Sequence, residues 1–180
     1  DIHRRENIQC LQIHEPWPHP PKGWVALSVD GSYSEQDGRA SVGMVLRNED
    51  GAVIFAAYRY IFNCNDALES EIHALMQGLA LASQHSDKPV IVQSDSINSL
   101  AILSGDTLSK SAYGHLDAEI KAILVDRVFV PMKISRVQNR VAHLLAHYSR
   151  TECCTAVWLN SSPPCCEEQL ARDCNPVIME

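Results

Sequence analysis

The chain lacks an excess of positive charge. It carries 15 Lys and Arg against 22 Asp and Glu, for a net charge of −7 over 180 residues. An acidic protein does not draw in a polyanion through its overall field, which excludes a non-specific nucleic-acid-coating protein. A metal-dependent site stays open, because its own carboxylates are negative until cations fill them. There is no signal-peptide pattern and no apolar run near the roughly 20 residues of a membrane span, so no membrane role is expected. There is no C-x2-C knuckle. The 7 Cys include Cys153-Cys154 and Cys165-Cys166, a spacing that does not turn two thiolates onto one zinc ion. An odd cysteine count without a leader reads as reduced thiols in an intracellular protein, in cytoplasm or nucleus. No internal repeat is present. The chain opens on Asp1 rather than Met, which fits a fragment of a longer product.

What is present is enough apolar sequence, 46%, for one domain with a proper core. Residues 1–22 show no sustained period. Pro16, Pro18, Pro20 and Pro21 crowd around Trp17 and read as an extended linker. From 24 to 34 the chain reads WVALSVDGSYS. Val25, Leu27 and Val29 point to one face, and Ala26, Ser28 and Asp30 to the other. This strand carries one carboxylate to its end. Residues 40–47 and 52–60 read as the next two strands, joined by the Asn48-Glu49-Asp50-Gly51 turn, so the chain opens as an antiparallel meander. Helical spacing follows over 66–85 through Leu68, Ile72, Leu75 and Leu79, with Asp66 as N-cap. Residues 89–94 are a strand buried on both faces. Short helices are expected over 96–103 and 113–126, a fifth strand over 132–137 and a last helix over 139–150. Residues 151–180 read as a Cys-rich tail with a short helix or turn through 156–159. A meander followed by alternating helix and strand gives an α/β domain, a mixed sheet with helices packed on it, over 23–150.

Asp30 and Asp95 each end a strand. If those strands are neighbours the two acids lie side by side, and a helix packed over them can lower Glu71 onto the same spot. At about 100° per residue, Glu71 lies roughly 60–70° from the centre of the bulky stripe, on the small flank of Ala67, Gly78 and Ala82. Glu69 lies on the other flank, and projection alone does not choose between them. Clustered carboxylates repel unless cations neutralise them. Hard oxygen ligands suit Mg²⁺ or Mn²⁺, and two such ions about 3.5–4 Å apart can activate water and stabilise a leaving oxyanion. The chemistry suggested is metal-assisted phosphodiester hydrolysis.

Taken together, VDGSYS, GMVLRNEDGAVIFAA, ALESEIHALMQGLALA, VIVQSDSINSL and RVQNRVAHLLAHYSR resemble the RNase H domain. The resemblance is to the plant RNase H-like domains of non-LTR-retrotransposon reverse transcriptases and their stand-alone derivatives. It runs from about Trp24 to Arg150. It implies a five-stranded mixed sheet of order 3-2-1-4-5. It carries three catalytic, metal-binding acids onto Asp30, Glu71 and Asp95, and implies hydrolysis of the RNA strand of an RNA–DNA hybrid. His143 stands where the family usually has a fourth acid. An imidazole there suits Zn²⁺ or Mn²⁺ better than Mg²⁺, and brings no negative charge, so weaker binding of a second ion and reduced turnover are expected. Gly31, Ser32 and Asn139 are candidates for nucleic-acid contact, with helix capping the alternative for Asn139. Asp95 has the same alternative, as cap of the helix that follows it. Arg39, Arg47 and Arg59 are further candidates if the meander presents them outward. A competing reading is a binding module of the same fold that has lost efficient catalysis and holds a hybrid or, through its flanking segments, a protein partner.

Overall fold

A computed structural model describes residues 15–61, 63–105, 113–125 and 127–175. The opening meander forms as expected: β1 (Val25–Tyr33), β2 (Ala40–Arg47) and β3 (Val53–Ile61) pair antiparallel in sequence. The β2–β3 turn is closed by Asn48, whose Oδ1 accepts from the amides of Asp50 and Ala52 at 3.0 and 2.9 Å. Gly51 takes φ +82° there, a conformation that a Cβ disfavours. Helix α1 (Ala67–His85) follows, with Asp66 accepting from the Glu69 amide at its N-terminus. Then come β4 (Val90–Ser94), α2 (Ile97–Leu103), α3 (Gly114–Leu124), β5 (Phe129–Lys133) and α4 (Arg140–Glu152). The connection between the helices expected over 96–103 and 113–126 lies, beyond Gly105, outside the described residues.

The sheet is mixed and flanked by helices, but it has six strands rather than five, in the order β5-β4-β1-β2-β3-β6. The extra strand, β6 (Ala156–Leu159), pairs antiparallel with β3 where the sequence suggested a helix or turn. It is followed by α5 (Pro164–Cys174). The segment expected to trail from the domain is thus built into it. Four residues are too few to show a period, which is why this strand was not legible. The fifth strand also lies earlier than expected. Pro131 is tolerated in β5 because this is an edge strand, where a missing N–H costs no ladder bond. Residues 134–139 instead leave the sheet in a turn, with the Asn139 amide donating to the Ser135 carbonyl at 3.0 Å.

Both faces of the sheet are covered. On one, Val25, Leu27 and Val29 meet Ile72, Leu75 and Leu79 of α1, with Leu116 and Ile120 of α3 beyond. On the other, Val45, Ala56 and Tyr58 meet Val141 and Leu145 of α4 and Cys166 and Leu170 of α5. The second face also holds a buried polar group. Arg47, a nucleic-acid candidate only if the meander presented it outward, is fully buried and pairs with Asp173 of α5 at 2.7 Å. The Trp17 ring lies over its guanidinium at 3.6 Å. Trp17 is 2% exposed and donates to Gln93 at 2.8 Å. The Pro-rich segment at 15–22 is irregular, yet it is docked rather than a free linker. An aromatic face and a carboxylate together supply what a buried guanidinium loses in water.

Two close approaches set the depth of the helices. A Cβ on Gly78 would lie 2.7 Å from Val29 Cγ1, so α1 sits tight on β1. A Cβ on Gly43 would lie 2.2 Å from the Ala142 carbonyl oxygen and 2.6 Å from the Ala146 nitrogen, so α4 rests directly on β2. Backbone cannot give way as a side-chain tip can. Gly43→Val is therefore expected to destabilise the fold by about 3 kcal/mol or more, read as a lower urea midpoint at unchanged slope.

Candidate functional site

Asp30 lies near the end of β1, opposite Gly43 in the antiparallel register. The parallel pairing of β1 with β4 sets Ser28 level with Gln93. Two residues further on, the same register brings Asp30 level with Asp95. Asp95 is not the cap of α2: Ser96 is, accepting from the Ser99 amide. The Asp95 carboxylate is therefore not committed to the helix. Glu71 arrives from the other element. Gly31 allows this, because a Cβ there would lie 2.7 Å from Ser70 C and 2.8 Å from the Glu71 nitrogen. The first turn of α1 can then reach the strand end, where the Glu71 carboxylate accepts from the Gly31 amide.

The result is a convergence of Asp30, Glu71 and Asp95, with one ligand atom from each lying within 4.8 Å of the others. Glu69 is turned away and accepts from the Asn65 amide at 2.6 Å. Burial, and then the neighbouring charges of Asp30 and Asp95, push the Glu71 carboxyl up to about 9. Burial likewise raises Asp30, against the lowering effect of its hydrogen bond to His143. Glu71 Oε2 is buried with no protein partner. A carboxylate trio of one buried and two half-buried acids, with one oxygen unpartnered, fits a hard divalent cation such as Mg²⁺ or Mn²⁺. Among the described residues this is the only such convergence; the thiols of Cys153, Cys154, Cys165, Cys166 and Cys174 are free and form none.

Because the folded Glu71 carboxyl is raised above its ordinary 4.5, its contribution is intact below that pH and is lost as pH rises toward about 9. The metal-free protein should lose thermal stability across that window. Glu71→Gln, which cannot ionise, should melt higher than the parent at pH 8, with the gap closing toward pH 4.5. Melting curves at several pH values with a chelator present would read this.

The remaining candidates are placed differently. His143 is not part of the three-acid convergence; its Nδ1 lies 3.1 Å from Asp30 Oδ2. Asn139 is 1% exposed, makes no side-chain cap, and donates through Nδ2 to the Val29 carbonyl at 2.9 Å. It ties α4 to β1 rather than facing a ligand. Ser32 accepts from Arg150 Nε at 2.7 Å. Gly31 serves the close approach of α1. Of the meander cations, Arg39 is exposed beside Asp37, Arg59 is exposed on β3, and Arg47 is buried. The sequence reading missed Arg136, an exposed cation whose field lowers the Asp30 carboxyl. Its place in the turn before α4 was the signal available.

Among solved structures, this chain is similar to RNase H1 from the halophilic archaeon Halobacterium salinarum, at 21% identity and a TM-score of 0.66 over 73% of this chain and 100% of that one. It is similar to LC11-RNase H1 in complex with an RNA/DNA hybrid, at 23% identity and a TM-score of 0.64 over 72% and 98%. It is also similar to a foamy viral protease–reverse transcriptase in complex with an RNA/DNA hybrid, at 15% identity and a TM-score of 0.57 over 72% of this chain and 20% of that one. These likenesses establish the RNase H-like fold. No curated protein matches. The profile of one family spans residues 28–149, the stretch that holds all three converging acids, and the chain belongs to that reverse transcriptase-like family.

Proposed function

We propose that this domain is a divalent-metal-dependent ribonuclease that hydrolyses the RNA strand of RNA–DNA hybrids. The observation that carries the reading is the convergence of Asp30, Glu71 and Asp95 around a buried, unpartnered carboxylate oxygen. Two of the similar structures hold RNA/DNA hybrids, which supports this class of substrate. Asp30, Glu71 and Asp95 would hold the cation. When bound, it would supply Lewis acidity toward the phosphodiester and lower the pKa of water. Water adds to phosphorus and the bond to the 3′-oxygen breaks, leaving a 5′-phosphate and a 3′-hydroxyl. Arg136, exposed and close enough for its charge to act on Asp30, would meet a phosphate held near the acids. Selectivity for a hybrid would rest on 2′-hydroxyl contacts to one strand and on duplex shape.

The test is cleavage of a labelled RNA–DNA hybrid by the purified chain with Mg²⁺ or Mn²⁺, against DNA duplex and single-stranded RNA. Divalent-dependent cleavage of the RNA strand alone supports the reading. Binding without cleavage would favour the second reading, a hybrid-holding module, which His143 at the fourth corner supports, because an imidazole brings no negative charge.

A further inference from the structure

We propose that His143 restricts this site to one divalent cation, by holding the Asp30 oxygen that a second cation would need. The inference rests on the three-acid reading above and specifies it. A carboxylate bridges two cations when each of its oxygens faces one of them. Here Asp30 Oδ2 is already engaged by His143 Nδ1 at 3.1 Å. An ionised carboxylate only accepts, so the imidazole N–H donates. One Asp30 oxygen is left for the side where Glu71 and Asp95 converge.

The helix that carries the imidazole is held in place from several directions. Gly43, the register partner of Asp30, lets α4 approach β2 until backbone meets backbone on either side of His143, at Ala142 and Ala146. Ser41 Oγ donates to the Ala146 carbonyl, and Asn139 Nδ2 donates to the Val29 carbonyl at 2.9 Å. These bonds pin the helix to β2 and β1 on both sides of the residue. The His147 ring stacks near-parallel on that of His143, with centroids 6.3 Å apart and planes at 17°. A helix so clamped keeps the His143 backbone beside Asp30. A carboxylate at this position would add a ligand and a negative charge for a second dication. An imidazole brings no negative charge, and its Nδ1 is already engaged by Asp30, so the corner offers a second dication neither a charge nor that ligand atom.

Titration of the purified chain with Mn²⁺ alone, by calorimetry and by electron paramagnetic resonance, tests this without turnover. The parent should bind one Mn²⁺ per chain. His143→Ala should release Asp30 Oδ2 and admit a second Mn²⁺, at about 10-fold lower affinity than the first. His143→Asp should admit a second ion more tightly, with the spectrum of a coupled pair. His143 is partly exposed, with 32% of its side chain accessible, and both substitutions should leave the melting curve in chelator cooperative. Two ions in the parent, or one ion in His143→Ala, would overturn the proposal while leaving the three-acid site intact. No Mn²⁺ binding by the parent, with Asp30→Asn indistinguishable from it, would remove the ribonuclease reading as well.

Discussion

Asp30→Asn is expected to reduce cleavage of an RNA–DNA hybrid by about 10³-fold or more while leaving the fold intact. Asp30 is the acid that belongs to both features of the site. It shares the convergence with Glu71 and Asp95, and its second oxygen holds His143. An amide keeps the shape and an acceptor for His143, but brings no negative charge to a cation. The metal-free protein should not suffer. Burial already opposes the Asp30 charge, and that charge in turn raises Glu71. Removing it relieves a repulsion, so the melting temperature in chelator should hold or rise. Mg²⁺ should raise the melting temperature of the parent and leave that of Asp30→Asn unmoved, because a ligand stabilises only the state that binds it. Retained cleavage in Asp30→Asn would mean that the chemistry does not pass through this cluster.

Ending the chain after Arg150, where the sequence-level domain boundary falls, is expected to abolish cooperative folding. Residues 151–175 supply β6, which pairs with β3, and α5, which covers the sheet beside α4. They also supply Asp173, the partner of Arg47. Stranding a fully buried guanidinium costs about 3–5 kcal/mol. Deleting the buried side chains of Leu170 and Cys166, 7% and 1% exposed, uncovers the apolar face beneath them and costs roughly 1–3 kcal/mol each. A domain of this size is stable by only about 5–15 kcal/mol. The contrast is with the single change Asp173→Ala, which should lower the urea midpoint markedly but leave one transition. A chain ending at Arg150 that unfolds at the parent's midpoint would show that β6 and α5 are ornament.

Much of the site was legible because its parts are local. The alternation of Val25, Leu27 and Val29 fixes which face of β1 is apolar, and so which face carries Asp30. Asn48 and Gly51 specify a turn without help from elsewhere. The 3.6-residue stripe of α1 places Glu71 on its small flank. A period says which side of an element is apolar, but not what that side meets. Glu69 and Glu71 stayed nearly equivalent until the Asn65 amide took one and the end of β1 received the other. Asp95 and Asn139 both stand at helix starts, where capping is the local expectation. Ser96 does that work for one helix, and the Val29 carbonyl claims Asn139 at the other.

The sequence by itself determined the meander, the order of helices and strands through α4, and two acids, Asp30 and Asp95, toward strand ends. Each follows from backbone periodicity and turn chemistry within a dozen or so residues, whereas Glu71 was chosen over Glu69 by the family resemblance. Only the tertiary structure decided that Trp17, Arg47 and Asp173 form one buried group, across separations that no local period spans. It likewise decided that His143 faces Asp30. That contact depends on how deeply α4 can sink onto Gly43, and depth of packing is set by the partner surface, not by the helix alone.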